Sequence, residues 1–429
     1  MTKNNTSSSY TRGTHFANHA RSLLQTFENL PPSLEALRCH TLITIYFLHM
    51  DFLDLALQSI SVTARLAMAL QLHRKSSSSR KGSDSYDQNL WWTIYALDRN
   101  LACLGGIPYL IRDEEIDEPR PARDGKSKRF SSVTNINCQN EPVQQDGPIE
   151  GSLHQEAMYL EVLAYLGRIW ACIWNDLVTD SSEPDCRWQV TEILDAQLRI
   201  IQQQLPAELV WRSPSSLGRD LENIQETSMQ RQLVILMRIN TLRLFIRRNP
   251  ASNCTCLDRK SPHDDGEAIS AQTIGAIVDF SSQHEGLLPI GHCISTTLVR
   301  CILYLINIIS ESSNTSGTES ASSSVVSAYQ VLVNLSEYCV SAGNAVETLD
   351  EAFFRYGDGP ARPEITTLPQ PQRGSISYSS GLEGNGGHGR RWNRRKSGTP
   401  TLSENSPRGN DLFDRLQKSY ESLDSLLPS

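Results

Sequence analysis

Carboxylates cluster in "DEEIDEPRP", Asp113 to Pro121, where five fall within six residues. A second stretch, "NDLVTDSSE", sets Asn175, Thr179 and Glu183 at i, i+4 and i+8. On a helix those three side chains share one side and suit a hard cation such as Mg²⁺. Paired, the two stretches would be the metal-diphosphate machinery of a helical enzyme. The local sequence argues against that chemistry. Pro184 disfavours helical backbone at Glu183. The acidic run lies between Pro108 and Pro119 rather than inside a long helix. His40 and His49 lie near Asp51 and Asp54, but on apolar helical patterns, where they read as core or surface residues. No Ser-His-Asp arrangement, phosphate-binding loop or dinucleotide glycine pattern is present. The glycines from Gly381 to Gly389 sit in a low-complexity stretch, not after a strand. The sequence reads as non-catalytic.

The other charges that stand out are Asp98 and Arg99, within "LWWTIYALDRNLACLGGIPYLI". On a helix Leu90, Ile94, Leu97, Leu101 and Leu104 share one face, and Trp91, Trp92, Tyr95 and Cys103 fill the neighbouring stripes. A helix apolar on every side is buried among others. Each charge on it therefore needs a partner, because a stranded one costs several kcal/mol. Adjacent residues point about 100° apart on a helix. The expected partners are thus on other elements, such as Arg65, His73 or Arg74. An ion pair that locks helices together is the simplest reading; a ligand-binding pair is the alternative.

Ten scattered cysteines give no metal framework. Cys39, Cys103, Cys172, Cys301 and Cys339 fall in apolar helical patterns, where a free thiol acts as a small core residue. Only Cys254 and Cys256 are close, and no C-x-x-C occurs, so paired zinc thiolates are not expected. The net charge of −8 excludes the chain as a whole from electrostatic nucleic-acid binding. One dense basic patch exists: Arg390, Arg391, Arg394, Arg395 and Lys396 in "RRWNRRK". It suits nuclear import, or nonspecific contact with phosphates. The opening "MTKNNTSSSYTRGTH" is too polar for a secretory signal. The most apolar run, "LVRCILYLINII", is short for a bilayer and holds Arg300. An intracellular protein with no membrane partner is expected.

Helical periodicity dominates and strand signals are scarce, so the fold class expected is all-α, with long disordered inserts and a disordered C-terminal tail. Ser33 should cap a helix over "LEALRCHTLITIYFLHM". Asp51 should cap the next, which should end at His73, Arg74 and Lys75. The buried helix should run from about Tyr86 to Leu104. Residues 1–13 read as disordered and 14–356 as one helical domain, with flexible inserts at 119–150 and 311–324. A low-complexity linker follows at 357–410. Residues 411–429 close the chain as an amphipathic segment, with Leu412, Leu416, Tyr420, Leu423 and Leu427 at helical spacing. That segment would dock into a coactivator groove or pack back on the bundle.

In order and spacing, "ARLAMALQLHR", "LWWTIYALDRNLACLGGIPYLI" and "DEEIDEPRP" resemble the signature of the fungal-specific transcription factor domain. This is the middle homology region of fungal binuclear zinc-cluster regulators. The family pattern is an alanine-rich helix ending in Gly-Leu-His-Arg, a polar loop, then a helix with Arg-Arg, a Trp pair and Leu-Asp-Arg. Leu-Gly-Arg-Pro and an acidic stretch ending in Pro follow. The match covers about residues 60 to 121 and makes His73, Arg74, Trp91, Trp92, Asp98, Arg99 and Pro108 the structural core of the signature. There are departures. Gln71 stands where the family has Gly, "YDQNLWW" lacks the arginines before the Trp pair, and "LGGIP" replaces Leu-Gly-Arg-Pro.

The resemblance implies a regulatory domain controlling transcription in the nucleus, with no catalytic or metal residues and no cofactor of its own. The family's zinc belongs to an N-terminal six-cysteine cluster, and no cysteine precedes Cys39. Either the gene model is truncated or this member works without the finger. Implied partners are a second copy or a zinc-cluster transcription factor, a coactivator at the C-terminal segment, and DNA only indirectly or through a missing module. Two rival readings are a Mg²⁺-dependent enzyme similar to terpenoid synthases, on the two acidic stretches, and a finger-less helical interaction scaffold.

Overall fold

Apolar residues at helical spacing run through most of the chain, and each such stripe becomes a helix. A computed structural model describes residues 6–26, 31–74, 84–117, 148–178, 184–213, 226–247, 262–283, 288–311 and 315–355. Its helices are α1 (Thr6–Thr26), α2 (Leu34–His49), α3 (Leu53–Ala69), α4 (Asp84–Gly105), α5 (Pro148–Ile173), α6 (Pro184–Gln203), α7 (Glu226–Arg247), α8 (Pro262–Gln283), α9 (Gly291–Glu311), α10 (Thr315–Leu335) and α11 (Val340–Arg355). A π-helical turn, Trp174–Val178, extends α5, and no strand occurs among the described residues. Most of the insert at 119–150, the linker at 357–410, the basic patch and the segment at 411–429 lie outside the described residues.

Three apolar cores stack along this array. The first joins α1 to α4 around Leu37, Phe47, Ile60, Trp91, Trp92 and Ile111. The second joins α5, α6 and α7 around Trp170, Trp174, Leu198, Ile235 and Ile239. The third joins α7 to α11 around Met237, Phe280, Leu298, Leu332 and Leu349. Two helices are shared. α4 gives Trp91 and Trp92 to the first core and Ala102 and Cys103 to the second. α7 gives Ile235 and Ile239 to the second core and Leu236 and Met237 to the third. Neither shared helix can shift without disturbing two cores, since close-packed interiors transmit displacement.

A buried carboxylate fastens α6 to α7. Asp195 is fully buried and accepts from Arg243 Nε at 2.8 Å, Arg247 Nη2 at 2.6 Å and Arg199 Nε at 2.6 Å. Arg247 also reaches Asp265 on α8 at 3.2 Å. Desolvation alone would raise the Asp195 carboxyl, but the hydrogen bonds and charges of Arg243 and Arg247 outweigh it and hold it below the usual range. A depressed carboxyl contributes stability that is present above its unfolded-state pKa and is lost as pH falls through the folded-state value.

Several boundaries differ from the sequence expectation. Ser33 does cap α2, accepting from the Ala36 amide at 3.2 Å. Asp51, however, does not cap α3. It sits past the end of α2 in the left-handed region, φ 59°, and Phe52 takes the N-cap position. The Asp51 carboxylate instead accepts from Asn344 Nδ2 of α11 at 2.8 Å. The serine-rich run expected as a flexible insert is helical from Thr315, because Ala321, Val325, Ala328 and Leu332 form a buried stripe. Residues Gln155–Val178 and Gly291–Ile309 are long and apolar enough to cross a bilayer, but both are packed among other helices.

α3 also ends earlier than expected, at Ala69, and Gln71 follows with φ 58°. The Gln71 amide bonds Met68 O at 2.9 Å and the Leu72 amide bonds Ala67 O at 3.1 Å. These are the two bonds of a Schellman end, which needs a left-handed residue and favours glycine there. Gln71 is the position where the resemblance places Gly. A side chain in that conformation costs about 1 kcal/mol. Gln71→Gly should therefore raise stability by about 0.5–1 kcal/mol, seen as a higher urea midpoint with unchanged slope. A lower midpoint would show that the glutamine contributes something the backbone does not need.

Candidate functional site

α4 brings Asp98 and Arg99 to the joint between the first two cores, and both are 2% exposed. Gly106, φ 58°, turns the chain at the end of α4, with the Ile107 amide bonding back to Ala102 O at 3.2 Å. The turned segment then presents two successive N–H groups to Asp98. Leu110 N lies 3.1 Å from each carboxylate oxygen, and Ile111 N lies 3.0 Å from Oδ2. That contact seats Ile111, which is fully buried in the first core. Pro108, itself exposed, has no N–H to compete for the carboxylate.

Arg99 closes the same segment from the other side. Its Nη1 meets Asp98 Oδ2 at 3.3 Å and its Nη2 meets Asp113 Oδ1 at 3.2 Å. The guanidinium carbon lies 3.7 Å from the Tyr109 ring centroid and 4.6 Å from that of Tyr95. Stacking on both rings replaces much of the solvation that the cation gives up on burial. Tyr95 donates to Asp113 Oδ1 at 2.7 Å. The acidic run forms a short 3₁₀ turn, Asp113–Glu115, and the Asp117 amide then bonds His73 O at 2.9 Å. The segment thus ties the end of α3 to the end of α4.

Burial pushes the Asp98 carboxyl up, against the Ile111 and Leu110 amides and Arg99, which pull it down. Burial likewise pushes Tyr95 well above the usual phenol range, so its hydroxyl stays a donor to Asp113. Gly167 of α5 stands opposite this cluster, where any larger side chain would force a neighbour to shift. A Cβ there would lie 3.0 Å from both Arg99 Cγ and Tyr95 Cε1.

The residues named from sequence divide. Trp91 and Trp92 are fully buried, and Trp92 meets Tyr95 edge-on at 5.3 Å. His73 packs beside Trp91, 6.0 Å between rings, with its pKa lowered by burial and then by Arg74. Arg74 and Pro108 are exposed and flank the cluster instead of entering it. Asp98 does not pair with Arg65, His73 or Arg74: the flexible Arg99 side chain curls back to its own neighbour, and backbone amides supply the rest. Sequence reasoning missed Tyr95, Tyr109, Asp113 and Gly167 as parts of the cluster. Gly167 had a signal, since a glycine inside an apolar helix weakens it unless close packing needs the space.

The metal reading finds little support in this arrangement. Asp113 is committed to Arg99 and Tyr95, while Glu114, Glu115 and Asp117 face outward. Asn175 pairs with the Tyr109 hydroxyl at 3.1 Å, and Thr179 and Glu183 lie outside the described residues. Among the described residues, no group of three or more His, Cys, Asp or Glu is placed to hold a metal ion.

This arrangement of a turned loop on a Leu-Asp-Arg helix coincides with a family match. A model of the fungal specific transcription factor domain covers residues 1–225, just over half of the 429. The chain belongs to that family. An uncharacterized transcriptional regulatory protein of Schizosaccharomyces pombe is 28% identical over 120 residues, which is 28% of this chain but only 14% of that protein. No solved structure matches the chain. The fungal transcription factor domain as matched takes in α1 to α6, yet α7 to α11 continue it through the shared core of α7.

Asp98→Ala should destabilise this domain by about 2–5 kcal/mol, because Arg99 and two amides lose their buried acceptor. Asp98→Asn should cost less, since it keeps an acceptor oxygen and removes a charge that burial disfavours. Thermal or urea unfolding of both variants checks the order. An unchanged melting temperature for Asp98→Ala contradicts it.

Proposed function

We propose that this chain is a regulatory domain of a fungal transcription factor, acting in the nucleus without chemistry of its own. The observation that carries the reading is the signature cluster. Its charged residues are spent on one another and on backbone amides, leaving a rigid joint in place of a reactive site. Membership of a transcription-factor family and the likeness to a transcriptional regulatory protein support the same role.

DNA would be read elsewhere. Sequence-specific readout needs a rigid element that carries donors into a groove. The family's element is a six-cysteine zinc cluster, and these 429 residues contain no C-x-x-C with which to open one. The net charge of −8 also opposes binding by the chain as a whole. A zinc-cluster partner or module would supply the contact, and the amphipathic residues 411–429 would supply a coactivator surface. Arg390, Arg391, Arg394, Arg395 and Lys396 would be read as the import signal.

Fusing the chain to a heterologous DNA-binding module without an import signal tests both parts. The fusion should accumulate in the nucleus and change the output of a reporter carrying that module's site. Replacing the five basic residues by Ala should reduce both readouts. A nuclear fusion that leaves the reporter unchanged would contradict the regulatory role, and an unaffected patch variant would contradict the import signal.

A further inference from the structure

α1 leaves an apolar stripe in solvent. It packs on the first core through Ala20 and Leu24, and the Tyr46 hydroxyl of α2 donates to Thr14 Oγ1 at 3.2 Å. On another flank Phe16 is 72% exposed, the most of any large apolar side chain among the described residues, and Leu23 is 47% exposed. At i and i+7 these two stand on one face, two turns apart. Single exposed apolar residues are ordinary, but the charge of this helix is not. Among the described α-helices, α1 alone contains neither Asp nor Glu, and it holds Arg12, His15, His19 and Arg21. His15, His19 and Arg21 are all exposed.

Such a face fits an amphipathic acidic segment, and the chain contains one. Residues 411–429, outside the described residues, set Leu412, Leu416, Tyr420, Leu423 and Leu427 at helical spacing. Leu416 and Leu423 repeat the interval between Phe16 and Leu23. Asp411, Asp414, Glu421 and Asp424 outnumber Arg415 and Lys418, which gives the segment a charge of −2, against +2 for α1 before its histidines are counted. The exposed pair Ile193 and Ile200 on α6 has Glu192 and Arg199 beside it and offers no such complement. The tether also suffices. Between Arg355, the end of α11, and Asp411 lie 55 residues. At about 3.3 Å per residue they extend far beyond the radius of gyration of about 20 Å expected for a domain of this size.

We propose that residues 411–429 dock on the exposed stripe of α1 in the same chain, with Leu416 and Leu423 against Phe16 and Leu23 and the acidic side chains toward His15, His19 and Arg21. The tether favours this contact over one with a second copy, because it holds the segment at high effective concentration. For its consequence the inference rests on the coactivator reading above. The stripe that seats on α1 is the one a coactivator groove would grip, so the docked chain is a held state and a coactivator must displace α1.

Hydrogen exchange of the full chain tests the contact from both sides. Residues 411–429 should exchange about tenfold or more slowly than a free peptide of the same sequence, and dilution should not change this. Phe16→Ala with Leu23→Ala, which keeps α1 in a residue that favours helix, should abolish that protection. Leu416→Ala with Leu423→Ala should in turn speed exchange in α1. Free-peptide exchange in the parent, protection that survives the α1 substitutions, an α1 unmoved by the tail substitutions, or protection lost on dilution would each overturn the proposal. The reporter fusion described above separates the two readings. Freed by the α1 substitutions, the segment should raise reporter output; exchange coupling with unchanged output supports the contact and counts against the coactivator surface alone.

Discussion

The carboxylate of Asp98 is the group on which the joint between the first two cores depends. It meets two consecutive amides of the segment after α4 and the guanidinium of its own neighbour. An ionised acceptor on backbone N–H groups makes the stronger kind of hydrogen bond. That strength is needed, because the segment has little helix or strand to hold it. Once it is pinned, Ile111 completes the first core, Asp113 caps Arg99, and the Asp117 amide reaches His73. The separate pieces of the family signature are therefore one structural unit.

The same device recurs with different chemistry. Asp195 gathers arginines from α6 and α7, and there the cations win over desolvation, whereas at Asp98 desolvation wins over a single arginine and the amides. The two carboxylates thus respond to pH in opposite senses. Asp195 favours the folded state as pH rises, and the raised pKa of Asp98 makes the folded state bind its proton more readily. Between them, α4 and α7 turn three small cores into one body. This accounts for the continuity of the helices beyond residue 225 with those inside the family match.

Much of this was legible in the sequence. Apolar stripes gave the helices, Ser33 marked the start of α2, and a charged pair on a helix apolar all round had to be buried and partnered. What could not be read was which atoms would answer that need. Asp98 is satisfied by a loop more than ten residues away, and no periodicity encodes a loop's path. Asp51 looked like a cap because Asp favours that place, but the chain used its tolerance of the left-handed region instead. The serine-rich run misled in the other direction: composition argued for flexibility, while one buried stripe was enough to hold a helix. Asp195 went unnoticed because its meaning depends on which arginines lie within its reach, a property of helix packing alone.

Hydrogen exchange at the Leu110 and Ile111 amides tests the central claim most directly, since both donate to Asp98 and neither belongs to a helix. If Asp98 pins the segment, both amides exchange about 10³-fold or more slowly than unstructured ones and open only with the core around Trp91 and Trp92. Exchange at the rate of an exposed loop, with α4 still protected, would show that the segment is held by something other than that carboxylate.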